Sequence, residues 1–153
     1  MANETGNLTM LTDDGRIFQA YCSTAVSAGQ LVACVSGDDV VGSGTTASAS
    51  DYSISDIKIV PKSGTTGADG YKHVIGIALE DGAAGDKVAV ATRGIFIMQG
   101  SAVTAGAPVV GAKAAEKPYT VVDAGSGDEP YVIGRALTGT SDDNKLCIVR
   151  LNI

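Results

Sequence analysis

The residues able to do chemistry are few and scattered. His73 is the single histidine of a 153-residue chain. A Ser-His-Asp or Cys-His site would have to be built on it, and one histidine beside a strand start reads as a surface residue. Three cysteines, Cys22, Cys34 and Cys147, are spaced too far apart for a Cys-x-x-Cys motif. They read as small apolar core residues kept in a reducing compartment. One histidine and three separated cysteines do not make a metal-ligand set. Acidic pairs occur at Asp13-Asp14, Asp38-Asp39, Glu80-Asp81 and Asp142-Asp143, all beside Gly, Asn or Ser. Asp and Asn favour turns through local side-chain hydrogen bonds, and none of these pairs has the EF-hand ligand spacing. The Gly-rich segments contain no G-x-x-x-x-G-K-[ST] and do not join a strand to a helix, so they are not phosphate cradles. No catalytic constellation, metal site or cofactor site is expected.

Composition narrows the classes further. Net charge is −6 and no Lys/Arg cluster occurs, which argues against a nucleic-acid partner. Aromatics are 5% with no Trp, so stacking platforms for bases or sugars are scarce. No apolar run approaches the roughly 20 residues of a membrane span. The first residues, MANETGNLTM, lack the basic and apolar regions of a secretion signal, so the protein is expected to be made in cytosol.

The elements that carry these residues read as strands. Twenty glycines and only four prolines favour short strands and tight turns. Strands are expected at Arg16–Cys22, Gln30–Val35, Tyr52–Val60, Val74–Leu79, Lys87–Thr92, Ile95–Met98, Ala107–Gly111, Tyr119–Val122, Tyr131–Leu137 and Lys145–Leu151. The stretch Val74–Met98 reads as a three-stranded meander. Gly111–Lys117 has helix-forming composition but is too short to stand alone. Residues 1–15 form an expected extended N-terminal arm with an apolar beat at Leu8, Met10 and Leu11. Residues 16–153 form a single β domain with a surface excursion at 36–72.

The chain also repeats itself. Val74-Ile75-Gly76-Ile77-Ala78-Leu79 matches Val132-Ile133-Gly134-Arg135-Ala136-Leu137. Continued without a gap, Lys87-Val88-Ala89-Val90 faces Lys145-Leu146-Cys147-Ile148. Upstream, the Ala-Gly turn and strand Val26–Val32 resemble Val103–Val109. Gly29 to Gly76 is 47 residues and Gly106 to Gly134 is 28, which leaves about 19 extra residues in the first half. Two copies of one β unit predict an all-β fold, a small antiparallel barrel or sandwich built from two pseudo-repeats. Each Gly inside Val-Ile-Gly predicts a bulge or a close backbone approach.

On these residues a family resemblance can be stated. Ile75-Gly76-Ile77-Ala78-Leu79, the Ala83-Ala84-Gly85 turn and Val88-Ala89-Val90 to Gly94 resemble, in this order, the capsid cement or head decoration proteins of tailed bacteriophages. Val26–Val32 is similar to that family's first Ala-Gly turn. The resemblance implies a non-enzymatic virion protein on the outer surface of an icosahedral head. Its implied partner is the major capsid protein, and its implied state is a homotrimer that clamps neighbouring capsid subunits. Leu8, Met10 and Leu11 are then the candidate capsid contacts. The competing expectation is a β-rich particle-surface module that binds a glycan or receptor, with Tyr52 and Tyr71 as its aromatics.

Overall fold

The computed structural model describes residues 9–12, 17–34, 57–62, 67–113 and 117–153. Its strands are β1 (Thr9–Thr12), β2 (Ile17–Cys22), β3 (Leu31–Cys34), β4 (Lys58–Pro61), β5 (Val74–Ala78), β6 (Lys87–Ala91), β7 (Arg93–Ser101), β8 (Pro108–Gly111), β9 (Thr120–Asp123), β10 (Gly134–Ala136) and β11 (Asp143–Asn152). The only helical pieces among the described residues are short 3-10 turns, Gly67–His73 and Glu129–Tyr131. The all-β expectation is met. Residues 114–116, the middle of the helix-forming segment, lie outside the described residues.

Each half of the chain closes a five-stranded barrel of its own. The first runs β2-β4-β3-β5-β6, with β6 pairing back onto β2. The second runs β7-β9-β8-β10-β11, with β11 pairing back onto β7. Strand by strand the connectivity is the same, including one parallel pair in each barrel, β2 with β4 and β7 with β9.

The registers are the same too. Leu31–Ile77 and Val32–Gly76 across β3 and β5 recur as Pro108–Arg135 and Val109–Gly134 across β8 and β10. Ile77–Ala91 and Ala78–Val90 recur as Arg135–Arg150 and Ala136–Val149. Phe18–Val90 and Ala20–Val88 recur as Phe96–Val149 and Met98–Cys147. The Ala-Gly turns match as well, with Gly29 at φ 89° and Gly106 at φ 85°, the left-handed region that glycine enters without strain.

Two details of the sequence reading are corrected by this pairing. First, Val74–Met98 is not one meander. β5 and β6 are neighbours, but β7 pairs with β1, β9 and β11 and not with β6. The chain leaves the first barrel at Thr92, between β6 and β7. Second, the repeat is not gapless through its last strand. Val88-Ala89-Val90 is matched by Cys147-Ile148-Val149, one residue later than the sequence alignment put it. A register shift between Asp143 and Lys145 takes up the extra residue. Because side chains alternate along a strand, the gapless alignment would have matched buried Val88 to exposed Leu146. The excess length of the first half lies mostly between β3 and β4, which are 23 residues apart against eight between β8 and β9.

The repeated glycines sit where a side chain has no room. A Cβ on Gly76 would lie 2.7 Å from the Ala91 carbonyl oxygen, and one on Gly134 would press on the Arg150 carbonyl. Both are close approaches between β5 and β6 or between β10 and β11, as the interrupted strands predicted.

Two apolar clusters fill the molecule. Ala20, Cys22, Val26, Val32, Ile59, Ala78, Val88 and Val90 fill the first barrel. The second cluster combines Phe96, Met98, Val109, Val121, Val149 and other residues of the second barrel with Leu31, Val74, Ile77 and Ala91 of the first. Alternation explains this division. Val32, Ala78 and Val90 point into the first barrel, while their strand neighbours Leu31, Ile77 and Ala91 point out of it and into its partner.

Candidate interaction surfaces

The sequence-predicted contact residues fall at the chain's N-terminal edge. Leu8 lies outside the described residues. Met10 and Leu11 belong to β1, which pairs antiparallel with β7 through Thr9–Ile97, Met10–Phe96 and Thr12–Ile95. β1 therefore rides on the edge of β7 beside β9, outside the five strands that close the barrel.

The 36–72 excursion is described only in part. Ile57 to Lys62 and Gly67 to Lys72 belong to β4 and the first 3-10 turn and their flanks. Tyr52 lies outside the described residues. Tyr71 is buried and its hydroxyl donates to Asp128 Oδ1 at 3.1 Å, so it is not an exposed platform for a glycan.

That Tyr71–Asp128 bond is the centre of a polar clasp between the barrels. Asp128 is 3% exposed and takes three donors. Lys113 Nζ stands 3.0 Å from Oδ2, the Gly125 N–H donates to Oδ2 at 2.9 Å, and Tyr71 holds Oδ1. The Lys113 ammonium above all, then the Gly125 N–H, hold the Asp128 carboxyl below its ordinary pKa. Burial, and then the bond to Asp128, push the Tyr71 hydroxyl up. Tyr131 meets Tyr71 edge-on at 5.9 Å between centroids, and Lys72 Nζ lies 5.8 Å from both rings. A second tie is Lys62, 1% exposed, whose Nζ donates to the Ala112 carbonyl. Composition gave no sign of the clasp, because Tyr71 and Asp128 are 57 residues apart in the two halves that they join.

The groups singled out for chemistry are in structural roles or on the surface. His73 is exposed at the end of its 3-10 turn. Cys22 and Cys147 are buried, whereas Cys34 is exposed, which corrects the expectation of three buried thiols. Burial pushes the Cys147 thiol up to about 11, and burial with Asp86 and Glu80 raises Cys22, so neither is a thiolate nucleophile. Of the acidic pairs, Asp13-Asp14 and Asp38-Asp39 lie outside the described residues, and Glu80-Asp81 binds backbone N–H groups distant in sequence, not those of its own turn. Asp81 Oδ1 accepts from the Ala28 N–H, Asp86 Oδ2 from the Ala83 N–H and Glu80 Oε1 from the Ala89 N–H. Among the described residues no three His, Cys, Asp or Glu side chains are grouped to hold a metal ion.

The outer face of the second barrel carries a groove of about 320 Å³ lined by Val132, Gly134, Arg135, Arg150 and Asn152. Arg135 and Arg150 are both exposed and face each other across β10 and β11. Sequence reading passed over them because they are 15 residues apart and no basic run marks them.

Two joined barrels, backbone-bound acidic groups and two buried thiols make an all-β protein with no grouped metal ligands among its described residues. Comparison with known proteins is specific about the kind. The profile of the phage cement protein family matches residues 23–151, and the chain belongs to that family. It is therefore a head-associated structural protein of a phage virion. Among solved structures, the head fiber gp8.5 N base of bacteriophage phi29 is similar in fold, with a TM-score of 0.52 at 18% identity over 89% of this chain and 92% of that one. No curated protein matches the chain.

Proposed function

We propose that this chain is a non-enzymatic cement on the outer surface of an icosahedral head, where it clamps neighbouring major capsid subunits as a homotrimer. Membership of the phage cement protein family is the observation that carries the reading. The architecture supports it. Two closed barrels are joined through a shared apolar cluster and the buried Tyr71–Asp128 hydrogen bond, so a load applied to one half passes to the other. Binding several capsid subunits through one trimer gains affinity by multivalency.

The contact arm is residues 1–15, with Leu8, Met10 and Leu11 as its apolar beat. Strand β1, paired with β7 of the same chain, is consistent with an extended conformation for part of this stretch, the form that can add a strand to a sheet. Removing residues 1–15 is expected to weaken binding to heads stripped of the protein by at least tenfold, measured by co-sedimentation. Because the deletion also strips β1 from β7, a Leu8→Ser/Leu11→Ser chain is measured beside it. Undiminished binding by both variants sinks the arm.

A further inference from the structure

We propose that the Arg135–Arg150 groove on the second barrel is the docking site for the first barrel of a second copy of this chain. It repeats between chains the contact that joins the two barrels within one. The proposal rests on the oligomeric part of the reading above, but not on capsid binding.

The duplication is the reason to expect it. The first barrel meets the second through Leu31, Val74, Ile77 and Ala91, all buried. The matched registers place Pro108, Arg135 and Arg150 at three of these positions in the second barrel, and the Val-Ile-Gly repeat places Val132 at the fourth. Val132, Arg135 and Arg150 line the groove. The backbone on this side thus has the form of a face already seen to receive a barrel, and no barrel covers it among the described residues.

Charge says which surface fits. In Arg135 and Arg150 two like charges stand directly opposite each other across a strand pair, an arrangement that costs free energy in an isolated sheet. The Arg135 guanidinium donates to the Gly106 carbonyl at 2.8 Å, and the Arg150 side chain has no hydrogen bond or ion pair to a described residue. Neither meets a carboxylate among the described residues. The groove therefore suits an anionic partner, and in sequence the negative excess of the chain lies in its first half. Residues 17–92 hold eight Asp and Glu against four Lys, whereas residues 93–153 hold six against six. A contact of this kind is head-to-tail, and such contacts close into rings when the rotation allows it.

The register also names a residue on the other side. Within the chain, Gly111 lies against Leu31 and Val74, as a Cβ placed on it would sit 3.2 and 3.5 Å from their side chains. The position matched to Gly111 in the first barrel is Cys34, exposed and free. In the neighbour's first barrel, Cys34 then faces Pro108 and the groove residue Val132.

Light scattering and disulfide trapping of the full chain test this without any capsid. The wild-type chain is expected to weigh at least twice its 15.3 kDa. Arg150→Glu is expected to fall to one chain mass with its circular dichroism unchanged and a cooperative melting transition retained. Val132→Cys is expected to give covalent oligomers on mild oxidation with copper phenanthroline, and Cys34→Ser/Val132→Cys to give none. If Arg150→Glu folds poorly, the trapping pair decides alone. A monomeric wild type, a folded Arg150→Glu that keeps its mass, or an oligomer that Val132→Cys does not trap overturns the proposal. A chain that assembles through this face but ignores stripped heads sinks the cement reading and leaves this one standing.

Discussion

Asp128 shows how single side chains hold this molecule together. A carboxylate so deeply buried persists only because its lone pairs are taken by Lys113, Gly125 and Tyr71. Its folded pKa is depressed, so the clasp contributes stability above the ordinary value of 3.8 and loses it as pH falls through the lower folded value. Wild type is therefore expected to lose melting temperature steeply below about pH 4, where carboxylates of ordinary pKa titrate. Asp128→Asn is expected to melt several degrees lower at neutral pH and to show a shallower acid limb. Scanning calorimetry of both chains from pH 7 to 2.5 reads the difference, and parallel acid limbs would remove Asp128 from the account. The chemistry singled out in the sequence has the same structural character. Asp81, Asp86 and Glu80 each cap a backbone N–H of the first barrel, which is why acidic residues sit in those turns.

At the scale of elements, the repeat was legible in the sequence and the partition between barrels was not. Val-Ile-Gly-x-Ala-Leu and the Ala-Gly turns stand out because close backbone approach and positive φ restrict those positions to glycine. The break between β6 and β7 leaves no such mark. Two strands separated by Thr92 look like a hairpin until pairing assigns one to each barrel. The bulge between Asp143 and Lys145 was invisible for another reason, since the polar run Thr138–Asp143 before it has no apolar alternation that a slip would break. What distinguishes the two matched outer faces is a pair of substitutions, with Ile77 and Ala91 in one barrel and Arg135 and Arg150 in the other. Exchanging them is a direct test. Ile77→Arg puts an unpaired charge into a position with 0% exposure and is expected to cost roughly 3 kcal/mol or more. Arg135→Ile changes an exposed position of the isolated chain and is expected to stay within about 0.5 kcal/mol. Urea unfolding at concentrations low enough to keep the protein monomeric measures both. Equal costs would mean that the two faces are not used differently.

For the whole molecule, duplication has made two barrels that are alike in pairing and unlike in self-sufficiency. The first barrel's cluster is drawn entirely from residues of the first half. The second cluster has fourteen buried members, and four of them, Leu31, Val74, Ile77 and Ala91, come from the first half. Burying a side chain of the size of Leu, Ile or Val contributes about 1.5–3 kcal/mol. Removing three such groups and Ala91 therefore takes away several kcal/mol, comparable to the whole stability of a small domain. At about 60 residues the second barrel alone lies in the range where a single core is marginal. The fragment 93–153 expressed alone is accordingly expected to lack a cooperative melting transition, with collapsed amide dispersion in a proton–nitrogen correlation spectrum. The intact chain is expected to melt in one transition, because unfolding the first barrel uncovers the core of the second. Two resolved transitions in the intact chain, or a dispersed spectrum from the fragment, would show the barrels to be independent. Such a chain could not pass load from one half to the other, and the clamp would have to act through each barrel separately.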